Sequence, residues 1–334
     1  MDYSENYFFE CGSGTIVNCL PEIGRQTVVA EILAGLRALP KRISSKFFYD
    51  RPGSELFQKI TRLDEYYPSR TEKAIFEQLP LEAVTDCRDL DIIELGSGDH
   101  SKISLLLKKV PPGRLSGIRY FPVDISRPAL ESSIRELGRA FPELEVQGIV
   151  ADYFHQMHLV PGDRRKLFCF LGSTIGNLER DEANAFVRDI GGTMEPGDAF
   201  LTGFDRVKDT AVLERAYNDA GGLTARFNRN VLNVVNGLIE SDFNPLDFEH
   251  RAFYNRARRR IEMHLEATRD IRVRTPFARE EILVGKGERI HTENSHKFDD
   301  ADIQTIAEKA GLAVRNIFSD QKELFSLALY GKDR

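Results

Sequence analysis

The segment Glu288–Phe298, which reads ERIHTENSHKF, carries polar side chains at nearly every position. In a strand, alternate residues share a face, so Glu293 and Ser295 are expected to project to the same side. A half-buried strand should alternate apolar with polar residues, and this segment does not. A carboxylate and a hydroxyl two residues apart can accept and donate hydrogen bonds side by side, so the strand is a candidate for binding a small polar ligand.

Two histidines in the same segment, His291 and His296, raise the alternative of a metal site. Their spacing is neither HxH nor HxxxH, and the four cysteines show no CxxC or Cys/His spacing. The sequence therefore predicts no metal. Cysteines without such spacing are expected to be reduced and structural, which fits a cytoplasmic protein.

A glycine-rich turn, Glu94–Lys102 (ELGSGDHSK), lies where an apolar strand should meet a helix. Gly96 and Gly98 allow a tight turn and let a ligand approach the backbone, and the N-terminus of the helix supplies free N–H groups. A dinucleotide fingerprint would need glycine at position 101, where the chain has Ser101, which argues against NAD or FAD. An acidic residue before the glycines is instead typical of class I S-adenosylmethionine (SAM) sites, although such turns also occur for structural reasons.

Acidic residues also follow the next two predicted strands. Asp124 could accept hydrogen bonds from ribose hydroxyls, and Asp152 could accept one from an adenine amino group, with Tyr153 beside the ring. Either aspartate alone could equally be a helix cap or a turn residue. Because ligands of open α/β sheets bind at the carboxyl ends of the strands, three successive strand ends with matching chemistry favour a nucleotide-type site.

The elements that must position these residues alternate between strand and helix about five times from residue 90 to 205, which predicts an α/β doubly wound sheet. The alternation stops after Asp205 and resumes near residue 298, so the sheet domain is interrupted by an insertion. We expect one domain from residues 72–206 and 298–334, and a second from residues 1–71 and 207–297. In the insertion, a long strand over RRRIEMHLEATRDIRV is expected to pair with the segment Glu288–Phe298. Far earlier in the chain, Ser69 and Glu72 are expected to form a capping box for a helix over SRTEKAIFEQL.

Composition narrows the functional classes. The chain has 334 residues and a net charge of −6, which argues against nucleic acid and acidic membranes as partners. Its basic run, Arg256–Arg260, is better explained as a solvated strand face. The N-terminus lacks the features of a signal peptide, and no apolar run approaches the length that spans a bilayer. The absence of an apolar stripe or heptad favours a monomer.

Several long motifs together resemble the histidine N-alpha-methyltransferase family of the ergothioneine pathway, and the resemblance runs from about Ile43 to the C-terminus. The motifs are KFFYDRPGSELFQKITRLDEYYPSRTE, ELGSGDHSK, FLGSTIGNL, FNRNVLNVVN and HTENSHKF. The resemblance implies a class I (Rossmann-like) methyltransferase domain, with an α+β substrate-binding domain formed by the N-terminus and the insertion. It also implies SAM-dependent trimethylation of the α-amine of L-histidine to hercynine, with S-adenosyl-L-homocysteine as the other product.

The same resemblance implies roles for single residues. Its cofactor contacts fall on Gly96, Lys102, Asp124, Asp152 and Tyr153. Its contacts to the amino and carboxylate ends of the substrate fall on Asn177, Tyr66 and Tyr217. Of these three, Asn177 and Tyr66 are also the catalytic positions. Its contacts around the imidazole fall on Tyr49, Met263, Glu293 and Ser295. The family often has a small hydroxyl residue where Asp99 and His100 stand here, which affects the detail of the turn.

Each of these residues also has a plainer interpretation. The tyrosines could be packing residues, Met263 could fill a core, and Asn177 could cap a helix or lie in a turn. The chemistry itself needs little more than orientation, because methyl transfer from a sulfonium to a neutral amine requires no metal and no strong general base. Asn177 could accept a hydrogen bond from the amine, and the ring of Tyr66 could contact the quaternary ammonium of the product.

Three alternatives remain open at this point. A related methyltransferase could act on another amino acid or an aromatic amine, and Glu293 argues for histidine because an indole has no second ring nitrogen. A nicotinamide oxidoreductase is disfavoured by Ser101. A module that binds SAM or histidine without turnover is disfavoured by the full set of substrate residues, and only a turnover measurement separates it from an enzyme.

Overall fold

The structure is a computed structural model that describes residues 8–11, 14–20, 25–154, 156, 164–276 and 279–333. The described strands are β1 Phe8–Cys11, β2 Gly14–Asn18, β3 Lys41–Arg42, β4 Leu90–Leu95, β5 Ile118–Asp124, β6 Glu145–Val150, β7 Arg165–Phe170, β8 Ala199–Asp205, β9 Phe248–Asn255, β10 Arg260–Ala267, β11 Ile271–Thr275, β12 Glu280–Val284, β13 Arg289–His296, β14 Ala313–Ser319 and β15 Phe325–Gly331. The described α-helices are α1 Arg25–Arg37, α2 Arg51–Ile60, α3 Tyr67–Gln78, α4 Leu81–Val84, α5 Ser101–Leu107, α6 Arg127–Ala140, α7 Arg180–Thr193, α8 Thr210–Tyr217, α9 Leu223–Ile239 and α10 Asp300–Lys309.

The chain divides into two compact units. The first unit comprises Met1–Pro21, Thr71–Arg206 and Phe298–Arg334, and the second comprises Glu22–Arg70 and Val207–Lys297. The insertion leaves the first unit after β8 and returns beside it, because Phe298 N donates to the carbonyl of Asp205 at 2.9 Å. Among the described helices, none is both long and apolar enough to cross a membrane.

The first unit is built on a nine-stranded sheet of order β1-β2-β6-β5-β4-β7-β8-β15-β14. The six inner strands, from β2 to β8 in that order, run parallel to one another. The strands β1 at one edge, and β15 and β14 at the other, pair antiparallel. The chain winds from β4 to one side through β5 and β6, and then to the other side through β7 and β8. The predicted doubly wound α/β sheet is confirmed, and the carboxyl end of β4 is the point where the winding reverses.

The central strand β4 shows why this sheet is stable. All six of its residues are buried, as expected for a parallel strand covered on both faces. Leu90 and Ile92 belong to one hydrophobic cluster, and Ile93 and Leu95 belong to another. Successive side chains of a strand point to opposite faces, so each face of the sheet has its own apolar core.

The start of the chain differs from the sequence-based boundary, which assigned residues 1–71 to the second domain. Strand β2 pairs parallel with β6, with Ile16 opposite Gly148, so this segment extends the large sheet. A five-residue strand added to a sheet edge has no periodic pattern long enough to indicate which sheet it joins.

The second unit contains a four-stranded sheet of order β3-β13-β10-β9 and a separate hairpin, β11-β12. The predicted pairing of the opening segment with the strand before it is confirmed, with Met263 opposite Glu293 and Ile261 opposite Ser295. The predicted long strand is in fact two, because the chain turns after Ala267 and β11 pairs with β12.

Candidate active site

The glycine-rich turn of the first unit joins β4 to α5 with two left-handed residues. Gly96 has φ +66° and Gly98 has φ +52°, conformations that disfavour any side chain. The N–H of Gly96 donates to the carbonyl of Val123 at 2.8 Å, so the turn is anchored to the end of β5. The structure therefore places the bare backbone of the turn at the carboxyl end of β4.

Asp124, at the end of β5, is held against the same turn. One carboxylate oxygen accepts from the N–H of Gly98 at 3.0 Å, and the other accepts from the N–H of Ser126 at 2.8 Å. Burial nevertheless raises the pKa of Asp124, because the surrounding protein removes water from the charge. The backbone N–H of Ile125 also bonds to this carboxylate, whose two oxygens have four lone pairs in all, so it can still accept from a ligand hydroxyl.

The end of β6 supplies an acidic residue and an aromatic one. The carboxylate of Asp152 accepts from the N–H of Phe154 at 3.0 Å. The ring of Tyr153 packs against Phe154 and Phe170, with centroids 4.5 and 5.7 Å apart, and burial raises the pKa of its phenol. The tyrosine therefore contributes a neutral ring. Two histidines that follow this strand end in the sequence, His155 and His158, fall outside the described residues.

The sequence did not identify one apolar residue at this edge, Ile125, as a candidate. Ile125 follows Asp124 directly and is 51% exposed, which is unusual for a large aliphatic side chain. An exposed aliphatic beside a half-buried carboxylate suits a ligand with a flat apolar ring next to a polar sugar. The available signal was its position one residue after the strand-end aspartate.

Lys102, in the first turns of α5, forms an ion pair with Glu72 of α3 at 3.1 Å. Burial alone would lower the pKa of Lys102, but the charges of Glu72 and Glu94 outweigh burial and raise it. Glu72 is fully buried and also accepts from the N–H of Gly172 at 2.7 Å, beyond the end of β7. The predicted capping box of Ser69 and Glu72 is wrong, because α3 already begins at Tyr67 and the glutamate points into the unit.

Glu94, the acidic residue before the glycines, is 1% exposed. Burial raises its pKa to about 8, although the phenol of Tyr120 donates a hydrogen bond to its carboxylate and Lys102 favours its charge. Glu94 therefore interacts with the buried side chains of Tyr120 and Lys102, whereas Asp124 and Asp152 keep accessible surface.

Asn177 ends a short 3-10 helix, Thr174–Asn177, that follows β7. The left-handed Ser173 (φ +56°) starts this turn, and its hydroxyl accepts from the N–H of Asp205 at 2.9 Å. The alternative that Asn177 caps the next helix is wrong, because Glu179 is the N-cap of α7. Within the described part of the chain, the half-buried side chain of Asn177 makes no hydrogen bond.

In the second unit, one face of the β10–β13 pair carries three of the predicted residues, Met263, Glu293 and Ser295. Met263 and Ile261 of β10 lie opposite Glu293 and Ser295 of β13. Glu293 is half-buried, and burial raises its pKa to about 7 although Lys297 opposes the rise. None of the described residues donates a hydrogen bond to its carboxylate. Met263 is 2% exposed, which suits both a core residue and the wall of a ring site.

A β-bulge changes the face of the sheet on which His291 lies. Regular alternation would place His291 with Glu293, but the register shifts between Met263 and His264. The extra residue turns His291 to the opposite face, where its ring lies 5.1 Å from that of His264. The face that carries Glu293 and Ser295 therefore does not carry His291. Across the described residues, no group of three or more ligating side chains could hold a metal ion.

Ser295 is the centre of a buried hydrogen-bond network. The phenol of Tyr217 donates to its hydroxyl oxygen at 2.7 Å, and the ammonium of Lys297 donates to the same oxygen at 2.8 Å. Lys297 also donates to the phenol oxygen at 3.3 Å and is fully buried. Alternation along the strand also puts Lys297 on the face of Glu293 and Ser295, but nothing in the sequence indicates that the ammonium is buried.

Tyr217 is positioned by a second network. The ring of His250 joins the backbone carbonyl of Tyr217, 2.8 Å away, to the side-chain amide of Asn228, 2.9 Å away. Burial lowers the pKa of His250, so the ring is neutral, with the proton on Nε2 toward the carbonyl. Asn228 in turn accepts from the hydroxyl of Thr292 at 2.7 Å, which ties α9 to β13.

The remaining predicted residues of this unit belong to an aromatic cluster. The ring of Tyr66 lies 6.2 Å from Tyr217 and 6.2 Å from Phe57, both nearly edge-on. Tyr49, 38% exposed, contacts Phe57 and Phe227 with centroids 5.7 and 6.0 Å apart. The sequence reasoning missed Phe57 and Phe227, because an aromatic residue on a helix is usually a core residue.

The strand order, the glycine turn after β4 and the acidic ends of β5 and β6 define a class I methyltransferase. A family model described as "Histidine-specific methyltransferase, SAM-dependent" matches residues 28–332. The chain belongs to this family and is a SAM-dependent methyltransferase.

Similar proteins agree with that assignment. A histidine N-alpha-methyltransferase of Mycobacterium tuberculosis is 39% identical, over 95% of this chain and 99% of that one. The protein of the same name from Mycolicibacterium smegmatis is also 39% identical, over 90% and 93% of the two chains. The ergothioneine biosynthesis protein 1 of Neurospora crassa is 28% identical, over 82% of this chain and 31% of its own length.

Proposed function

We propose that this enzyme transfers three methyl groups from SAM to the α-amine of L-histidine to give hercynine, the first step of ergothioneine biosynthesis. The names of the mycobacterial relatives and the family description support histidine as the substrate. The observation that carries the proposal is the carboxylate of Glu293, half-buried, without a hydrogen-bond donor among the described residues, and beside the hydroxyl of Ser295.

An imidazole satisfies both groups. Its N–H can donate to Glu293, and its second nitrogen can pair with the hydroxyl of Ser295, while Met263 covers the ring. A ring without these groups would leave a desolvated carboxylate unpaired, which is the strongest means by which a site rejects an analogue. This argument favours histidine over tryptophan, whose indole has a single nitrogen.

The first unit has the residues that SAM requires. Gly96 allows the approach to the backbone, Asp124 can accept from ribose hydroxyls, Asp152 can accept from the adenine amine, and Tyr153 offers a ring face. Lys102, a cation held by Glu72, suits a carboxylate. SAM supplies a methyl group bound to a sulfonium, which is electrophilic without a metal or a second cofactor.

The chain's own residues then act by orientation. We assign Asn177 to the α-amine, where its side-chain oxygen can accept a hydrogen bond and direct the nitrogen lone pair. Positioning of this kind can account for a large part of a methyl transfer, and we assign no general base. As methyl groups accumulate the amine loses its donors, and the ring face of Tyr66 can then contact the quaternary ammonium by a cation–π interaction of ~1–2 kcal/mol.

Mass spectrometry after incubation with L-histidine and SAM tests the proposal directly. We expect products with one, two and three added methyl groups, and the trimethylated product should dominate at completion. A parallel reaction with L-tryptophan, and another with a mixture of the remaining amino acids, tests the alternative of a different substrate. An unchanged histidine peak, together with methylation of another amino acid, would refute histidine as the substrate and leave the methyltransferase assignment intact.

A further inference from the structure

We propose that Lys297 is a specificity-determining residue that makes the ring site select neutral imidazole over imidazolium. The inference rests on the proposed function, since it concerns the histidine ring in the same site. It begins from an unusual observation, an ammonium group that is fully buried and donates to the hydroxyls of Ser295 and Tyr217.

The hydrogen bonds around Ser295 fix the direction of its proton. A serine hydroxyl has one proton and two lone pairs. Tyr217 and Lys297 both donate to this oxygen, at 2.7 and 2.8 Å, and so use both lone pairs. The hydroxyl of Ser295 can therefore act toward a ligand only as a donor, and it needs a partner atom that accepts.

Glu293, two residues earlier on the same face of β13, has the opposite requirement. Burial raises the pKa of this carboxyl to about 7 in the free protein, and a ring N–H that donates to it favours the charged form, which can only accept. The pair thus demands a ring with one N–H and one bare nitrogen, which describes neutral imidazole. Imidazolium has an N–H at both positions, so one N–H would meet the proton of Ser295.

The charge of Lys297 acts in the same direction and opposes the attraction of the Glu293 carboxylate for a cation. Lys297 lies 5.1 Å above the ring of Tyr217 and is the charged group that influences the pKa of Glu293, which it lowers. The facing strand β10 contributes the apolar Ile261 and Met263 at the opposed positions. A buried positive charge within this network disfavours a second cation, whereas it has little effect on a neutral ring.

The direct test is nitrogen NMR of bound L-histidine carrying 15N in the ring, because 15N shifts distinguish protonated from bare ring nitrogens. The sample is the full-length protein saturated with histidine and S-adenosyl-L-homocysteine, at about one pH unit below the ordinary ring pKa of ~6.5. Free histidine is then mostly charged, yet we expect one protonated and one bare nitrogen in the complex. In Lys297→Met, which frees a lone pair of Ser295 and removes the charge, we expect both nitrogens to be protonated.

A matched control is Lys46→Met, since Lys46 belongs to the same unit but has a side chain that is 47% exposed. We expect this variant to retain the pattern of the unchanged protein. Two protonated nitrogens in the unchanged protein would overturn the inference, as would a bare nitrogen that persists in Lys297→Met.

A second measurement needs no variant of the buried lysine to fold. The 4- and 5-thiazolylalanines place a bare nitrogen at either ring position, and the matching 3- and 2-thienylalanines have a CH there. One isomer should inhibit histidine methylation about tenfold more strongly than its thienyl match, the value of one hydrogen bond from Ser295. Ser295→Ala should remove that difference. Equal inhibition by both matched pairs would contradict the inference, whereas failure of the unchanged protein to bind or methylate histidine would instead refute the proposed function.

Discussion

Replacing Glu293 with glutamine should weaken histidine binding while stabilising the free protein at high pH. For binding, a hydrogen bond to a charged group contributes ~1.5–3 kcal/mol, and a neutral one ~0.5–1.5 kcal/mol. Glutamine keeps an accepting oxygen but loses the charge, so the expected loss is ~1–1.5 kcal/mol. That loss corresponds to about a five- to tenfold weaker Kd for L-histidine, measured by calorimetry.

The stability effect follows from the pKa of Glu293, which burial raises from 4.5 to about 7. Between these two values the folded protein holds a proton that the unfolded chain has released. The unchanged protein therefore loses stability as the pH rises from 4.5 to about 7, and the loss stays constant above that. Glutamine does not titrate. Because the side chain is only half-buried, we expect the variant to gain about 1–2 kcal/mol near pH 8, which is a few degrees in Tm, and almost nothing near pH 4.5.

A suitable control is Glu249→Gln on strand β9 of the same sheet, whose carboxylate pairs with Arg251 at the surface. Exposed ion pairs contribute ~0–1 kcal/mol, so this variant should change neither the Kd nor the pH dependence of Tm appreciably. An unchanged Kd in Glu293→Gln would refute the ring-binding role. A Tm difference that is the same at low and high pH would refute the argument from burial.

Three further results are expected. Asp124→Ala should weaken SAM binding about tenfold in calorimetry, since it removes an acceptor for the ribose, and a normal Kd for SAM would contradict the cofactor assignment. Glu72→Gln should leave the ammonium of Lys102 unpaired and lower the free energy of unfolding by ~3 kcal/mol in urea titrations. Adding Lys102→Met should recover most of that loss. If Glu72→Gln alone is as stable as the unchanged protein, the ion pair is dispensable. Glu293→Ala combined with Met263→Val should slow histidine methylation and admit bulkier rings such as indole, and unchanged kinetics for histidine would exclude both residues from the ring site.

The local sequence determined much of the first unit. Residues whose role depends on immediate neighbours were predictable, because the conformation of Gly96 and the strand-end position of Asp124 follow from short-range patterns. Buried parallel strands such as β4 are also recognisable in the sequence as short, mainly apolar runs. In the second unit, the segment around Glu293 could be singled out from the sequence because its polar pattern does not suit an ordinary half-buried strand.

Only the tertiary structure decided the features that depend on distant pairing. Strand β2 joins the large sheet through a parallel partner more than a hundred residues away, and Glu72 meets Lys102 and Gly172 across the unit. The β13 bulge turns His291 away from Glu293, which a strict period of two cannot anticipate.

Lys297 shows the limit most clearly. Its position in the sequence gives its face on the strand, but a lysine in such a place is usually solvated. Only the fold shows that its charge is fully buried and bonded to Ser295 and Tyr217. Sequence determines which groups a strand can present, whereas burial and hydrogen-bond direction depend on what the rest of the chain packs around them.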